Sequence, residues 1–287
     1  MKPLRNFLEL IKFEHTVFAL PFAYLGMILA AGGFPTWRQF LWITIAMTAA
    51  RTIAMGFNRI VDREIDARNP RTAARPLVSG RISLGTAWTG TILATVLLAV
   101  AAWQLGPLPL TLLPGALVLL FGYSYTKRFT WLSHYILGIT DGLAPLGAWV
   151  AVRGSLLSSE DAPAWLLFLV VTFWIGGFDL IYACQDVEVD RRENLKSIPA
   201  RFGISFALSL SSLSHLVCFL LLVALGLMQR FTLPFWVGLA IIGALFVWEH
   251  RLVKPHDLTR VDLAFFNINS YISLTLFFAV VGALWLR

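Results

Sequence analysis

The chain has 287 residues, 58% hydrophobic and only 14% charged, with a formal net charge of +7. A soluble domain is usually about 45–50% apolar and about 25% charged, so there is too little polar surface here to coat a globule in water, and the mean hydropathy of +0.74 agrees. These figures exclude a soluble enzyme or a nucleic-acid-binding module. The positive charge is read instead as membrane topology plus an anionic ligand.

Apolar segments lie at 16–33, 38–57, 85–104, 107–122, 134–152, 163–184, 204–228, 231–248 and 262–285. A bilayer-spanning helix needs roughly 20 such residues. Isolated strands cannot satisfy their backbone polar groups in lipid, and these segments lack the alternation of barrel strands. The expectation is an all-α integral membrane protein, with nine transmembrane helices in one bundle and residues 1–287 as a single domain. Lys2, Arg5 and Lys12 precede the first segment, which has no small-residue cleavage site near its end, so it is read as a span and not as a signal. His15, at its mouth, reads as an interfacial residue. Cys184 and Cys218 fall inside apolar runs and read as packing residues.

With the N-terminus inside, segments 1–15, 58–84, 123–133, 185–203 and 249–261 carry 18 of the 23 lysines and arginines. The other side carries four: Arg38, Arg153, Arg230 and Arg287. This bias predicts a cytoplasmic N-terminus and an external C-terminus. The inner loops are also longer and hold almost all the acids, which places function on the cytoplasmic face.

Two acidic clusters leave the membrane on that face. At the end of the second span, Asn58, Asp62 and Asp66 are spaced i, i+4, i+8 and share one helix face. Asn69-Pro70-Arg71 and Arg75-Pro76 follow, where proline ends the helix and basic residues line the loop. At the end of the sixth span, Asp186 and Asp190 repeat the i, i+4 step, with Asp179 seven residues earlier. The common design hints at a parallel internal repeat. Clustered carboxylates without His or Cys are hard oxygen ligands and suit Mg²⁺, which takes one or two carboxylates and completes its shell with ligand phosphate oxygens. Two facing acid ladders could therefore grip one diphosphate. Lys127, Arg128, Lys196 and the loop arginines Arg71 and Arg75 would neutralise the remaining charge.

Arg51 and Asp141 lie inside apolar spans, where a charge costs about 2.5–3.5 kcal/mol to insert. Arg51 is seven residues before Asn58, so it points toward the same site and is expected to bind an anionic part of a substrate. Asp141 is expected to orient an acceptor or accept a proton, or else to pair with an arginine. Asn267 and Asn269 in the last span read as interhelical hydrogen-bonding residues. Some of the 22 Phe and 11 Trp could line a tunnel and stabilise a carbocation.

The paired clusters resemble the UbiA superfamily of intramembrane prenyltransferases, along nearly the whole chain. The family's first motif, N-D-x-x-D-x-x-x-D, is matched by Asn58, Asp62 and Asp66, and its second, D-x-x-x-D, by Asp186 and Asp190. Arg59 stands where the first motif has its first aspartate, which removes one possible metal ligand. Asp179-Leu-Ile-Tyr-Ala-Cys-Gln-Asp186, Tyr123-Ser-Tyr125-Thr-Lys127-Arg128 and Lys196-Ser-Ile-Pro199 resemble the 4-hydroxybenzoate branch.

The resemblance implies Mg²⁺ held by Asn58, Asp62, Asp66, Asp186 and Asp190, with the four aspartates catalytic. It adds Asp179 and Tyr125 to Arg51 and Asp141 as acceptor-binding residues. It implies transfer of a polyprenyl chain from its diphosphate to a small aromatic acceptor in quinone biosynthesis, in a bacterial cytoplasmic membrane, with lipid around the site and no nucleic acid. The chain is also similar to the branch that uses 1,4-dihydroxy-6-naphthoate, and protohaem farnesylation stays open. Two rivals come from other classes. A secondary transporter would place its acids nearer the membrane midplane, and a CDP-alcohol phosphotransferase would need one acidic motif rather than two.

Overall fold

The computed structural model describes residues 2–286, with backbone alone at 2–4 and 14–19. The His15 side chain therefore lies outside the described residues, as does Arg287. Among the described residues the structure is helical, apart from one isolated bridge between Lys254 and Asp257. The helices are α1 (Lys2–Leu10), α2 (Phe13–Ala31), α3 (Trp37–Val61), α4 (Arg63–Arg68), α5 (Leu84–Leu105), α6 (Pro107–Thr126), α7 (Ser133–Arg153), α8 (Ala162–Ala183), α9 (Val187–Arg192), α10 (Ile198–Phe202), α11 (Ile204–Met228), α12 (Leu233–Leu252) and α13 (Asn269–Trp285).

Eight helical segments are long and apolar enough to cross a membrane, and the described apolar part of α2, Leu20–Ala31, is shorter. The expected segments thus all appear as helices. Their outward faces carry large apolar side chains such as Leu93, Val118, Leu216 and Phe278. That exposure is ruinous in water and suited to lipid.

Helix ends follow local chemistry. Thr36 and Gln39 form a capping box at the start of α3, and the Ser83 hydroxyl accepts from the Thr86 N–H at the start of α5. Helix α4 stops at Arg68 just before Asn69-Pro70, because a residue preceding proline is pushed out of the helical region.

Helices consecutive along the chain pack against one another, and α13 returns to α2, closing a ring. Small residues permit the tightest crossings. A Cβ built on Gly26 of α2 would stand 2.1 Å from the carbonyl oxygen of Pro145 on α7, and one on Gly138 of α7 would stand 2.3 Å from that of Thr172 on α8. The main core gathers Leu25, Trp149, Leu167, Trp174, Leu222, Phe235 and Ile272, contributed by α2, α7, α8, α11, α12 and α13. Cys184 and Cys218 are free and buried, as packing residues should be.

The structure corrects the picture of two straight acid ladders. Helix α3 ends at Val61, and α4 begins at Arg63. The residue between them, Asp62, has φ −91° and ψ 4°. Helix α8 ends at Ala183, and a 3₁₀ turn over Cys184–Asp186 leads into α9, with Asp186 at φ −103° and ψ 6°. Asp62 and Asp186 therefore both occupy the sparsely allowed bridge region, where helices bend and active-site residues often sit. The bends hold because Asp62 is tied to Lys127 and Arg128, and Asp186 to Arg71 and Asn69.

Candidate active site

The bends turn both acidic clusters into one cavity of about 410 Å³. Asp62, Asp66, Asp186 and Asp190 all line it, together with Asn58, Arg71, Arg75 and Lys127. Asp62 and Asp66 are almost wholly buried, at 2% and 5% exposure. A buried carboxylate must be paired or hydrogen-bonded, and three of the four are met by cations. Lys127 bonds Asp62 Oδ2, and Arg128 donates to Asp62 Oδ1 at 3.1 Å. Arg75 reaches both oxygens of Asp66 at 2.6 Å. Arg71 grips Asp186 with Nε at 3.0 Å and with its terminal nitrogen, while its other nitrogen donates to the Tyr182 hydroxyl at 2.6 Å. That clamp on Asp186 holds the Arg71 guanidinium more firmly protonated than usual, although burial pulls the other way. Asp190 instead accepts from the Ser197 hydroxyl at 2.6 Å.

Bonds across the two motifs lock the halves together. Asn69 Nδ2 donates to Asp186 Oδ1 at 2.8 Å, Arg68 pairs with Glu193 at 2.7 Å, and the Lys196 N–H donates to the Lys127 carbonyl at 2.6 Å.

Deeper in the bundle, Arg51 and Asp141 line the cavity and pair with each other at 3.5 Å. Arg51 Nε is buried and has no hydrogen-bond partner. One guanidinium N–H is thus buried without an acceptor. Asp179 also lines the cavity, 2.7 Å from His134 Nδ1, and the Ile198 N–H points at His134 Nε2. That backbone donor makes Nε2 an acceptor, so the neutral ring presents Nδ1–H to Asp179. The remaining walls are apolar and aromatic: Phe22, Trp174, Phe178, Phe265 and Phe266. Tyr182 stacks on Phe265 with ring centroids 4.2 Å apart, under the Arg71 guanidinium.

Three sequence-predicted residues do not line this cavity. Tyr125 is 44% exposed, against Phe57 and Arg128 on the outer side of α6. Helix α6 faces its other side, with Tyr123, inward, where the Tyr123 hydroxyl donates to the Ala54 carbonyl at 2.8 Å. The Lys196 side chain is exposed, because that loop docks through its backbone. Arg128 reaches Asp62 but also donates to the Ser124 and Val61 carbonyls, so it ties α6 to the end of α3.

Conversely, the sequence reading missed Tyr182, His134, Asn69 and Ser197. Tyr182 lies one turn before Asp186, and that spacing was available as a signal. His134 and Asn69 meet partners distant in the chain, and Ser197 meets Asp190 across a loop without helical period. A π-helical turn over Leu263–Ile268 brings Phe265, Phe266 and Asn269 to the wall. Such turns often mark functional sites. Asn267 is exposed.

With this geometry in place, the chain can be set beside known proteins. It matches the UbiA prenyltransferase family over residues 19–271. It is 31% identical over 258 residues to a 4-hydroxybenzoate octaprenyltransferase of Pseudoalteromonas translucida, covering 90% of this chain and 86% of that one. It is 33% identical over 265 residues to an enzyme of the same name from Pseudomonas aeruginosa, with the same coverage. Among solved structures, a UbiA homolog from Aeropyrum pernix K1 superposes with a TM-score of 0.85 at 33% identity, over 94% of this chain and 98% of the other. A UbiA homolog from Archaeoglobus fulgidus, bound to DMAPP and Mg²⁺, shares the fold with a TM-score of 0.71 at 20% identity, over 96% and 99% of the two chains.

Proposed function

Because the chain belongs to the UbiA prenyltransferase family, we propose that it moves a polyprenyl chain from its diphosphate onto a small aromatic acceptor of the 4-hydroxybenzoate class, releasing diphosphate, as a step in quinone biosynthesis. One observation carries the reading. Four aspartates and the basic side chains of Arg71, Arg75 and Lys127 meet at one end of a cavity whose walls become apolar and aromatic. That is the polarity of a prenyl diphosphate, which has a charged head and a hydrocarbon tail.

The donor set suits Mg²⁺. Asp62, Asp66, Asp186, Asp190 and the Asn58 carbonyl supply only hard oxygens, and Asp190 is joined to Ser197 and not to a cation. Mg²⁺ held there would neutralise the charge that develops on the departing diphosphate. Arg71, Arg75 and Lys127 now occupy the carboxylates. They are long enough to turn onto phosphate oxygens, with Arg71 and Arg75 as bidentate donors.

The allylic carbon becomes cationic as the carbon–oxygen bond breaks. Tyr182, Phe178 and Phe265 lie on the wall to face that cation. Arg51, which lines the cavity, receives the acceptor's carboxylate through its guanidinium, and Asp141 keeps that group in place. Asp179, oriented by His134, is the carboxylate placed to take the ring proton. The apolar walls exclude water that would otherwise capture the cation. By the loop charge bias, the site faces the cytoplasm.

The test is direct. Purified protein receives farnesyl diphosphate, Mg²⁺ and either 4-hydroxybenzoate or 1,4-dihydroxy-6-naphthoate. Released diphosphate is counted and products are identified by mass spectrometry. Acceptor-dependent release with a prenylated ring is the expected result. Binding of the diphosphate without transfer to either ring would overturn the choice of acceptor class.

A further inference from the structure

A second polar cluster lies behind the aromatic end of the cavity, between α11 and α12, and takes no part in the proposed reaction. His215 on α11 and Glu249 and His250 on α12 each direct a donor atom inward, all within 4.8 Å of one another. His215 and Glu249 are 1% and 0% exposed, and His250 is half-buried. His215 Nδ1 stands 3.0 Å from His250 Nε2 and 3.4 Å from Glu249 Oε2.

The surroundings fix how these groups present themselves. His215 Nε2 lies 3.2 Å from the Trp174 carbonyl oxygen, which can only accept, so Nε2 carries the proton and Nδ1 turns its lone pair to the cluster. Asn269 donates to Glu249 Oε1 at 3.0 Å, and its own carbonyl accepts from Trp174 Nε1 at 2.7 Å. One carboxylate oxygen is therefore anchored. The other, Oε2, is fully buried and has no hydrogen-bond donor. A hydrogen bond between the two imidazoles would account for the 3.0 Å contact but would leave Oε2 unsatisfied, a costly arrangement. A shared cation accounts for both.

We propose that His215, Glu249 and His250 form a structural site for one divalent cation of the zinc class. Tetrahedral zinc with bonds of about 2.0–2.2 Å sets its donor atoms about 3.3–3.6 Å apart. Two of the three separations, 3.0 and 3.4 Å, lie close to that edge, and the third, within 4.8 Å, needs a turn of the His250 or Glu249 side chain. Imidazole donors select zinc over Mg²⁺, which prefers an octahedron of oxygens. The Trp174 carbonyl behind His215 and the Asn269 amide behind Glu249 are the outer hydrogen-bonding partners that metal ligands usually have. Three protein ligands leave one position for water, and half-buried His250 marks the way in. The site ties α11 to α12. Through Asn269 and Trp174, which both line the cavity, it braces the cavity's inner wall.

The experiment uses the whole chain in detergent, stripped with chelator and then titrated with Zn²⁺ in the presence of millimolar Mg²⁺ to occupy the oxygen-rich site. Zinc is measured by elemental analysis and its shell by X-ray absorption. The expected result is one zinc per chain with imidazole in its shell and a rise in melting temperature. Stoichiometric binding should disappear in Glu249→Gln, which keeps the acceptor for Asn269, and in His250→Gln. No stoichiometric zinc in the wild type, an all-oxygen shell, or equal zinc in the wild type and both variants overturns the proposal. If the variants do not fold, the wild-type shell decides alone. None of these readouts depends on prenyl transfer, so the reaction and the zinc site stand or fall separately.

Discussion

Asp62→Asn isolates the charge at the centre of the proposed site. Asp62 is 2% exposed and accepts from Asn58 Nδ2 at 3.1 Å, from Arg128 at 3.1 Å and from Lys127. Asparagine keeps the shape and one acceptor but removes the negative charge. Breaking a fully buried ion pair costs about 3–5 kcal/mol. Here the Lys127 and Arg128 side chains are 29% and 32% exposed, and water can take over their charges, so the loss of stability should be nearer 1 kcal/mol. Activity should fall far more. Loss of one preorganised group that stabilises developing charge costs about 3–4 kcal/mol, or roughly a hundred- to a thousand-fold in turnover. Diphosphate release from farnesyl diphosphate with saturating acceptor reads the second quantity, and thermal unfolding in detergent reads the first. The variant should also need more Mg²⁺ for half-maximal rate. Turnover within about threefold of wild type, equivalent to under 1 kcal/mol, in protein that melts normally, would refute the role given to Asp62.

Three further outcomes are expected. Arg51→Gln should raise the KM for the aromatic acceptor about ten- to a hundred-fold, since a charge-assisted hydrogen bond contributes about 1.5–3 kcal/mol, and it should leave the KM for the prenyl diphosphate nearly unchanged. Equal effects on both substrates would move Arg51 to the diphosphate. Gly26→Ala should destabilise the bundle by about 1–3 kcal/mol, because its Cβ meets the Pro145 carbonyl at 2.1 Å; an unchanged melting temperature would show that α2 and α7 can part freely. The third concerns α1. Arg81 hydrogen-bonds Glu9 at 2.7 and 2.8 Å and holds its carboxyl below the usual carboxylate range. A carboxyl with a lowered value contributes fully above its unfolded value, and the contribution fades as pH falls through the folded one. Proteolysis of α1 should accordingly be slow at neutral pH and quicken on acidification below the ordinary carboxylate range. Glu9→Gln should be cleaved at one rate throughout.

The hydrophobic segments and the acids were legible in the sequence because both are local signals. Twenty apolar residues announce a span, and an i, i+4 aspartate pair announces a face. Lost in that reading was what the chain does at Asp62 and Asp186. A helical period assumes a straight helix, whereas both helices bend at these residues under tertiary ties to Lys127, Arg128, Arg71 and Asn69. Tyr125 illustrates the same limit. It and Tyr123 are two residues apart and therefore on different sides of α6, and only the packing of α6 against α3 selects Tyr123 for the interior. Lys196 sits in a segment whose composition suits an anion, yet its backbone and not its ammonium group makes the contact. His134, Asn69 and Ser197 could not have been singled out, since each gains its role from a partner 45 or more residues away or from a loop with no periodicity.

The ion pairs of the cavity have a thermodynamic consequence. Its lining carries six aspartates, Asp62, Asp66, Asp141, Asp179, Asp186 and Asp190, and six cations, Lys12, Arg51, Arg59, Arg71, Arg75 and Lys127. The lining is thus a neutral internal salt. A divalent cation bound alone at Asp62, Asp66 or Asp186 must displace an arginine or lysine from the carboxylate and strand that positive charge, whereas Asp190, held by Ser197, has no such competitor. A diphosphate that recruits Arg71, Arg75 or Lys127 alone must draw that side chain away and strand its carboxylate. When the two enter together, each takes one half of the separated pair. On the proposed reading, metal and diphosphate are therefore linked ligands, each raising the affinity for the other by the same factor.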